Sequence, residues 1–262
     1  MSFSLPWQNP WLIALILNTV FLSLVYFAPK KLLTPAGIVH AWILGVLIWG
    51  VLRWPGYLIV AFYFLMGSAV TRLGMAQKET AGIAEKRGGA RGPENVWGSA
   101  LTAALCAIGV FVIQKFPSTP LLDLSKTLLL LAYVASFSTK LADTCASEVG
   151  KAYGQRTFLI SSLQPVPRGT EGAVSLEGTV AGIVAGAIMA LMGWAIGLIE
   201  VQGIIFCMIA AFIANNIESL IGATLQTKIN WLTNEVVNII NTLVGAIIAA
   251  LLAIVWYSLG FS

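Results

Sequence analysis

The run SFSTKLADTCASEVGKAYG places Ser136, Lys140, Asp143 and Ser147 at i, i+4, i+7 and i+11, which is one face of a helix. Lys140, Thr144 and Glu148 form an adjoining stripe. An ionised carboxylate at membrane depth is costly unless it faces the interior and has a partner or an ion. Asp143, Lys140 and Glu148 are therefore candidate catalytic residues. The plainer use of the same residues is an ion pair, Lys140–Asp143 or Lys140–Glu148, that only holds helices together. Further on, IANNIESLIG aligns Asn215, Glu218 and Gly222 with Asn216 and Ser219 beside them, and TNEVVNIIN aligns Asn234, Asn238 and Asn241. Asparagine inside a membrane serves interhelical hydrogen bonding, which is the better use for Asn241; that role does not need the carboxylate of Glu218. Asp143, Glu148 and Glu218 are the candidate metal ligands, with Ser147, Asn215 and Asn216 in support. They suit Mg²⁺, which takes few carboxylates and keeps waters and substrate phosphates as its other ligands.

The opposite charge comes from two long connections. Residues 74–95, GMAQKETAGIAEKRGGARGPEN, supply Lys78, Lys86, Arg87 and Arg91 around Gly88 and Gly89, and end on Asn95. Residues 149–175 supply Lys151, then Arg168, Gly169, Thr170 and Gly172. Glycines let backbone amides approach an anion, and the guanidinium fork matches phosphate oxygens. No GK[ST] follows the glycines, so neither segment is a Walker A loop. Each alone reads equally well as a solvated basic loop. Together with the carboxylates they point to a site for phosphates, Mg²⁺ and a nucleoside triphosphate.

The elements that must position these residues follow from composition. The 262 residues are 58% hydrophobic and 10% charged, against about 25% charged in soluble domains. The chain is an all-α, polytopic membrane bundle, and its net charge of +4 reports cytoplasmic loops rather than nucleic-acid binding. About eight spans are expected, over 10–28, 36–52, 55–73, 96–115, 124–146, 176–198, 202–225 and 235–259. With eight spans, twelve of the 15 lysines and arginines fall on one side. That side is cytoplasmic by the positive-inside rule and carries both long loops, and both termini face out. Residues 1–262 read as a single domain whose first run, Trp11 to Ala28, is a span rather than a signal peptide. Cys106, Cys145 and Cys207 lie too far apart in sequence for a zinc or disulfide pattern. Gly178, Gly182 and Gly186, followed by Ala190, form a small-residue row for close helix packing. His40, beside Trp42, reads as an interface-belt residue.

ADTCASEVGKAYG (142–154), VPRGTEGAVSLEGT (166–179) and KETAGIAEKRGGARGPENVWG (78–98) resemble the hallmark segments of one membrane family. It groups plant and cyanobacterial phytyl-phosphate kinase with the vertebrate transmembrane protein nineteen. Asp143-xx-Ala146-xxx-Gly150 is also distantly similar to phytol and dolichol kinases, which use CTP. Those enzymes place a lysine and a serine where this chain has Pro167-Arg168-Gly169-Thr170, so CTP and other nucleoside triphosphates both stay open as donor. The resemblance implies a kinase of isoprenoid monophosphates. It would make phytyl diphosphate for tocopherol and phylloquinone in a cyanobacterial-type or plastid membrane. Two other classes share the residue set: a lipid-phosphate cytidylyltransferase, and an ion-coupled transporter using Asp143, Glu148 and Glu218. The polar residues lie at helix ends and no inverted repeat is evident, which counts against the transporter. Chain-length preference and oligomeric state are not encoded in these motifs.

Overall fold

A computed structural model describes residues 9–28, 31–226 and 228–260. Lys30, the Lys86 side chain and the chain ends, all part of the sequence reading, lie outside the described residues. The helices are α1 (Pro10–Phe27), α2 (Pro35–Thr71), the short α3 (Met75–Thr80), α4 (Pro93–Ile113), α5 (Pro120–Tyr153), α6 (Leu176–Ala195), α7 (Val201–Ile221) and α8 (Asn234–Ser258). Four of them begin on proline, at the position where its missing N–H is not needed. Side-chain caps from Thr34, Thr119, Ser175 and Thr233 start α2, α5, α6 and α8. Between α5 and α6 lies a small antiparallel hairpin, β1 (Thr157–Leu159) with β2 (Ala173–Ser175).

Seven of the described helices are long and apolar enough to cross a membrane. One of them, α2, makes two passes. Its 37 residues would span about 55 Å if straight, nearly twice the ~30 Å hydrocarbon thickness. Yet the Arg72 guanidinium, just past its end, donates to the Lys31 carbonyl, just before its start, at 2.9 Å. Arg91 also touches both arms: a Cβ on Gly37 would lie 2.4 Å from its carbonyl oxygen, and one on Gly67 2.6 Å from its Nη2. The helix therefore doubles back, and the break is at Arg53 (φ 60, ψ −157). Two residues later Pro55 removes a donor and disfavours helix in the residue before it. The expected spans 36–52 and 55–73 are these two arms, and the bundle has eight passes.

The central helix is α5, buried without interruption from Leu131 to Ala142, as befits a helix surrounded on every side by its neighbours. It packs on α2, α4, α6, α7 and α8. Its contact with α6 is close, and there the glycine row does what its spacing predicts. A Cβ on Gly178 would sit 2.5 Å from the Ala146 carbonyl oxygen and one on Gly182 2.9 Å from that of Ala142. Ser138 Oγ donates to the Gly186 carbonyl at 2.8 Å. Outward positions such as Leu15, Leu24, Leu243 and Leu251 are exposed and apolar, the pattern of a surface solvated by lipid. The α5 helix runs past the expected residue 146 to Tyr153, because Ala, Glu and Lys in its last turns are good helix formers. His40 accepts from the Trp97 indole N–H at 2.8 Å.

Candidate active site

The polar residues gather at the end of the bundle that carries the two long loops. At its centre, Lys140 of α5 donates to the Asp143 carboxylate one turn on and, at 2.6 Å, to Asn238 Oδ1 of α8. One turn further along α8, Asn241 donates to the Glu218 carboxylate of α7 and, at 3.1 Å, to Asn215 Oδ1. The i, i+3 spacings 215/218 and 238/241 put each pair on one helix face. The Glu218 carboxyl lies against that of Asp143, and Ser147 Oγ reaches Asp143 Oδ1 at 3.5 Å. Three helices thus hold two carboxyls, one ammonium and three amides in a largely buried cluster, in which the Lys140 and Asp143 side chains are 7% and 14% exposed. Both neighbours of the Asn241 amide nitrogen are acceptors, which fixes that amide's orientation. Its Oδ1 is then left buried without a partner among the described residues.

Glu148 does not join this cluster. Five residues beyond Asp143 on an α-helix is a rotation of about 140°, and Glu148 points instead at the first loop. There it pairs with Lys78, whose side chain is fully buried and also donates to the Thr71 carbonyl at 2.7 Å. Lys151 bridges Glu148 and Glu85 at 3.4 Å each and lies within electrostatic reach of Asp143. The structure therefore divides the expected ligand trio Asp143, Glu148, Glu218. Among the described residues no three His, Cys, Asp or Glu side chains converge on a point.

The loops fold over this end and meet. Gly169 rests on Ile83 of the first loop, and Gly172, at φ 75, seats against the Ser219 carbonyl of α7, where a Cβ would be 2.4 Å away. Arg168 Nη1 donates to the Ala152 carbonyl at 2.9 Å, and Thr170 Oγ1 to that of Pro167 at 2.8 Å. In the first loop Arg87, itself at φ 57, pairs with Glu94 and approaches Asn95 Oδ1 at 3.4 Å. Asn95 caps the Gly92 N–H at 2.9 Å. Gly88 faces open space, while Gly89 is packed on Thr71. Asn216 turns away from the centre and donates to the Phe212 carbonyl at 2.7 Å.

Arg91 differs from the other two arginines. Its Nη1 donates to the Tyr63 hydroxyl at 2.7 Å and its guanidinium lies 5.0 Å from the same ring. The Tyr63 hydroxyl in turn donates to Ser99 Oγ at 2.9 Å. Tyr63 also packs on Phe137 of α5, the helix that carries Lys140 and Asp143. Sequence reasoning missed Tyr63, which stands in the apolar run VAFYFLMG. The available signal was that a buried tyrosine hydroxyl needs a partner.

The model of an integral membrane protein family, DUF92, matches residues 18–246. The chain belongs to the DUF92 family of integral membrane proteins. The match runs from Asn18 to Ala246 and takes in every polar group described above. A membrane protein of Synechocystis sp. is 65% identical over 92% of this chain and 90% of its own length. Protein VTE6, chloroplastic, of Arabidopsis thaliana is 44% identical over 84% of this chain and 65% of its own. A membrane protein of Methanocaldococcus jannaschii is 29% identical over 92% of this chain and 95% of its own. No solved structure matches.

Proposed function

We propose that this protein is a membrane kinase that converts an isoprenoid monophosphate, phytyl phosphate foremost, to its diphosphate at the expense of a nucleoside triphosphate. The observation that carries the reading is the Lys140–Asp143–Glu218 centre, lying beneath two basic glycine loops at one end of an apolar bundle. Its motif, ADTCASEVG, resembles that of phytyl-phosphate kinases, and the identity to the chloroplastic VTE6 supports the same reading.

The reaction asks little of a base. A phosphate monoester has its second pKa near 6 and is an anionic nucleophile at neutral pH. One of its oxygens bonds to the terminal phosphorus of the nucleotide, the bridging P–O bond breaks, and a nucleoside diphosphate leaves with that oxygen. Catalysis is then positioning and charge neutralisation. Asp143, Glu218 and the unpartnered Oδ1 of Asn241 are hard oxygen donors. A small set of carboxylate and amide oxygens is the kind Mg²⁺ accepts, so these residues fit that ion. The chemistry a bound Mg²⁺ supplies there is neutralisation of the nucleotide's phosphate charge. Lys140, fixed by Asp143 and Asn238, places an ammonium beside the transferring group. Lys151 adds a second positive charge from the rim. The loops face the nucleotide-containing side, in accord with the twelve-to-three division of basic residues.

The test is to incubate the purified protein with phytyl phosphate, Mg²⁺ and each nucleoside triphosphate in turn, and to identify the lipid product by mass. Phytyl diphosphate with release of the nucleoside diphosphate is expected. A CDP-lipid with pyrophosphate marks a cytidylyltransferase instead. Gradient-driven uptake into liposomes with no lipid product marks a transporter.

A further inference from the structure

A pocket opens between α1, the two arms of α2, and α4. Its walls are apolar, with Phe21, Leu44, Val60 and Phe64 among them. Its two polar ends differ. At the loop end stands Arg91, held by Tyr63, and among the described residues it has no carboxylate partner. At the other end Asn18, 1% exposed, accepts from the Tyr57 hydroxyl at 3.1 Å and donates to the Ala14 carbonyl at 2.8 Å. The Asn18 amide occupies space that only a glycine leaves free, since a Cβ on Gly45 would lie 1.9 Å from its Oδ1.

A cation without a counter-ion at the mouth of an apolar pocket is complementary to a molecule with an anionic head and a hydrocarbon tail. The head at Arg91 would stand at the loop end that also carries the carboxylate centre, since the Tyr63 that holds Arg91 packs on Phe137 of α5, the helix of Lys140 and Asp143. A second groove, between α5, α6 and α7, lacks this feature. Its lining residues, Ala142, Gly182 and Phe212 among them, include no charged side chain.

We propose that the α1–α2–α4 pocket holds the hydrocarbon chain of the isoprenoid phosphate, that Arg91 with Tyr63 takes its phosphate, and that the Asn18–Tyr57 pair sets the chain length accepted. This rests on the lipid-phosphate reading above and assigns Arg91 to the lipid rather than to the nucleotide. Depth follows from helix rise. Tyr63 and Tyr57 are six residues apart on one arm of α2, about 9 Å, and Gly67, beside Arg91, is ten residues from Tyr57, about 15 Å. A chain longer than the floor allows must bend out between the helices into lipid.

The test is photolabelling of wild-type protein in lipid nanodiscs, without nucleotide, by farnesyl phosphate carrying a diazirine on its terminal isoprene unit. Mass spectrometry should find adducts on peptides around Asn18–Phe21 and Tyr57–Phe64, competed away by phytyl phosphate. Adducts around Ile183 and Phe212 instead, or none, overturn the assignment. Ala61→Phe, which fills the pocket, should reduce labelling at least tenfold, while Ala211→Phe in the other groove should leave it unchanged; the reverse pattern overturns the proposal. Arg91→Met should weaken binding by roughly one to two decades, the worth of a charge-assisted hydrogen bond, and unchanged binding removes Arg91 from the site. Asn18→Ala should shift competition from farnesyl toward geranylgeranyl phosphate, and an unshifted ratio overturns the role of the floor. Labelling requires no turnover. A protein that labels as expected yet forms no diphosphate refutes the kinase reading alone, and a protein that forms diphosphate without labelling this pocket refutes the present one alone.

Discussion

Glu148→Gln and Lys78→Met remove the two halves of the same buried ion pair, yet the structure makes their costs unequal. The Lys78 side chain is fully buried and, among the described residues, Glu148 is its only ion-pair partner; it also donates to the Thr71 carbonyl at 2.7 Å. Neutralising Glu148 strands a buried ammonium, which costs about 3–5 kcal/mol. Removing Lys78 leaves Glu148 with Lys151 at 3.4 Å, itself 25% exposed, so the loss is that of one charge-assisted hydrogen bond, about 1.5–3 kcal/mol. Replacing both, as Lys78→Met with Glu148→Leu, removes the charges together and should fall within about 1 kcal/mol of wild type, because well-packed apolar substitutes for a buried pair are often neutral. The measurement is equilibrium unfolding in mixed micelles of dodecyl maltoside and SDS, followed by circular dichroism. Equal single-variant costs, or a double variant whose loss is the sum of the two, would refute the reasoning. Turnover separates the roles: a folded double variant with wild-type kcat assigns Glu148 to tethering the first loop, and a folded inactive one assigns it to chemistry.

Asp143→Asn should lower diphosphate formation by two or more decades, since it removes charge from the reacting centre, while the unfolding transition stays cooperative; wild-type turnover would return Asp143 to a structural role. Gly178→Val drives a side chain into the Ala146 carbonyl, which a Cβ already approaches to 2.5 Å, and should cost about 1–3 kcal/mol in the same micelle assay. Arg53→Gly should stabilise by about 1 kcal/mol, because φ 60 with ψ −157 is a region open in practice only to glycine; a destabilised variant would show that the arginine side chain matters more than its backbone. Single cysteines at Glu85 and at Ser262 should react with an impermeant maleimide from opposite faces of the membrane. The three native cysteines are buried, so the background is low, and reaction of both from one face would refute the eight-pass topology.

What could be read in the sequence was what short spacing encodes. The Lys140–Asp143 contact is an i, i+3 pair, the glycine row of α6 recurs every four residues, and the asparagines of α8 align one turn apart. The choice of partner over long separations was not legible. Glu148 lies on a stripe that also contains Lys140, and nothing in the spacing says that its ammonium partner is Lys78, 70 residues earlier. Tyr63 was invisible for a related reason. Its role comes from Arg91 and Ser99, 28 and 36 residues away, whereas its neighbours in the chain are ordinary core residues. The β1–β2 hairpin was likewise hidden, since two three-residue strands inside a glycine-rich loop carry no periodicity to read.

The reversal at Arg53 has a consequence for compartments. Each pass through a membrane hands the following segment to the other side, so the count between Lys31 and Arg72 must be even for the two to meet, as they do. Had the chain continued straight through α2, the first loop would emerge on the face opposite Lys31. The carboxylates of α5 and α7 and the second loop would emerge there with it. One residue's backbone angle thus determines which of two aqueous pools the carboxylate centre and both loops face.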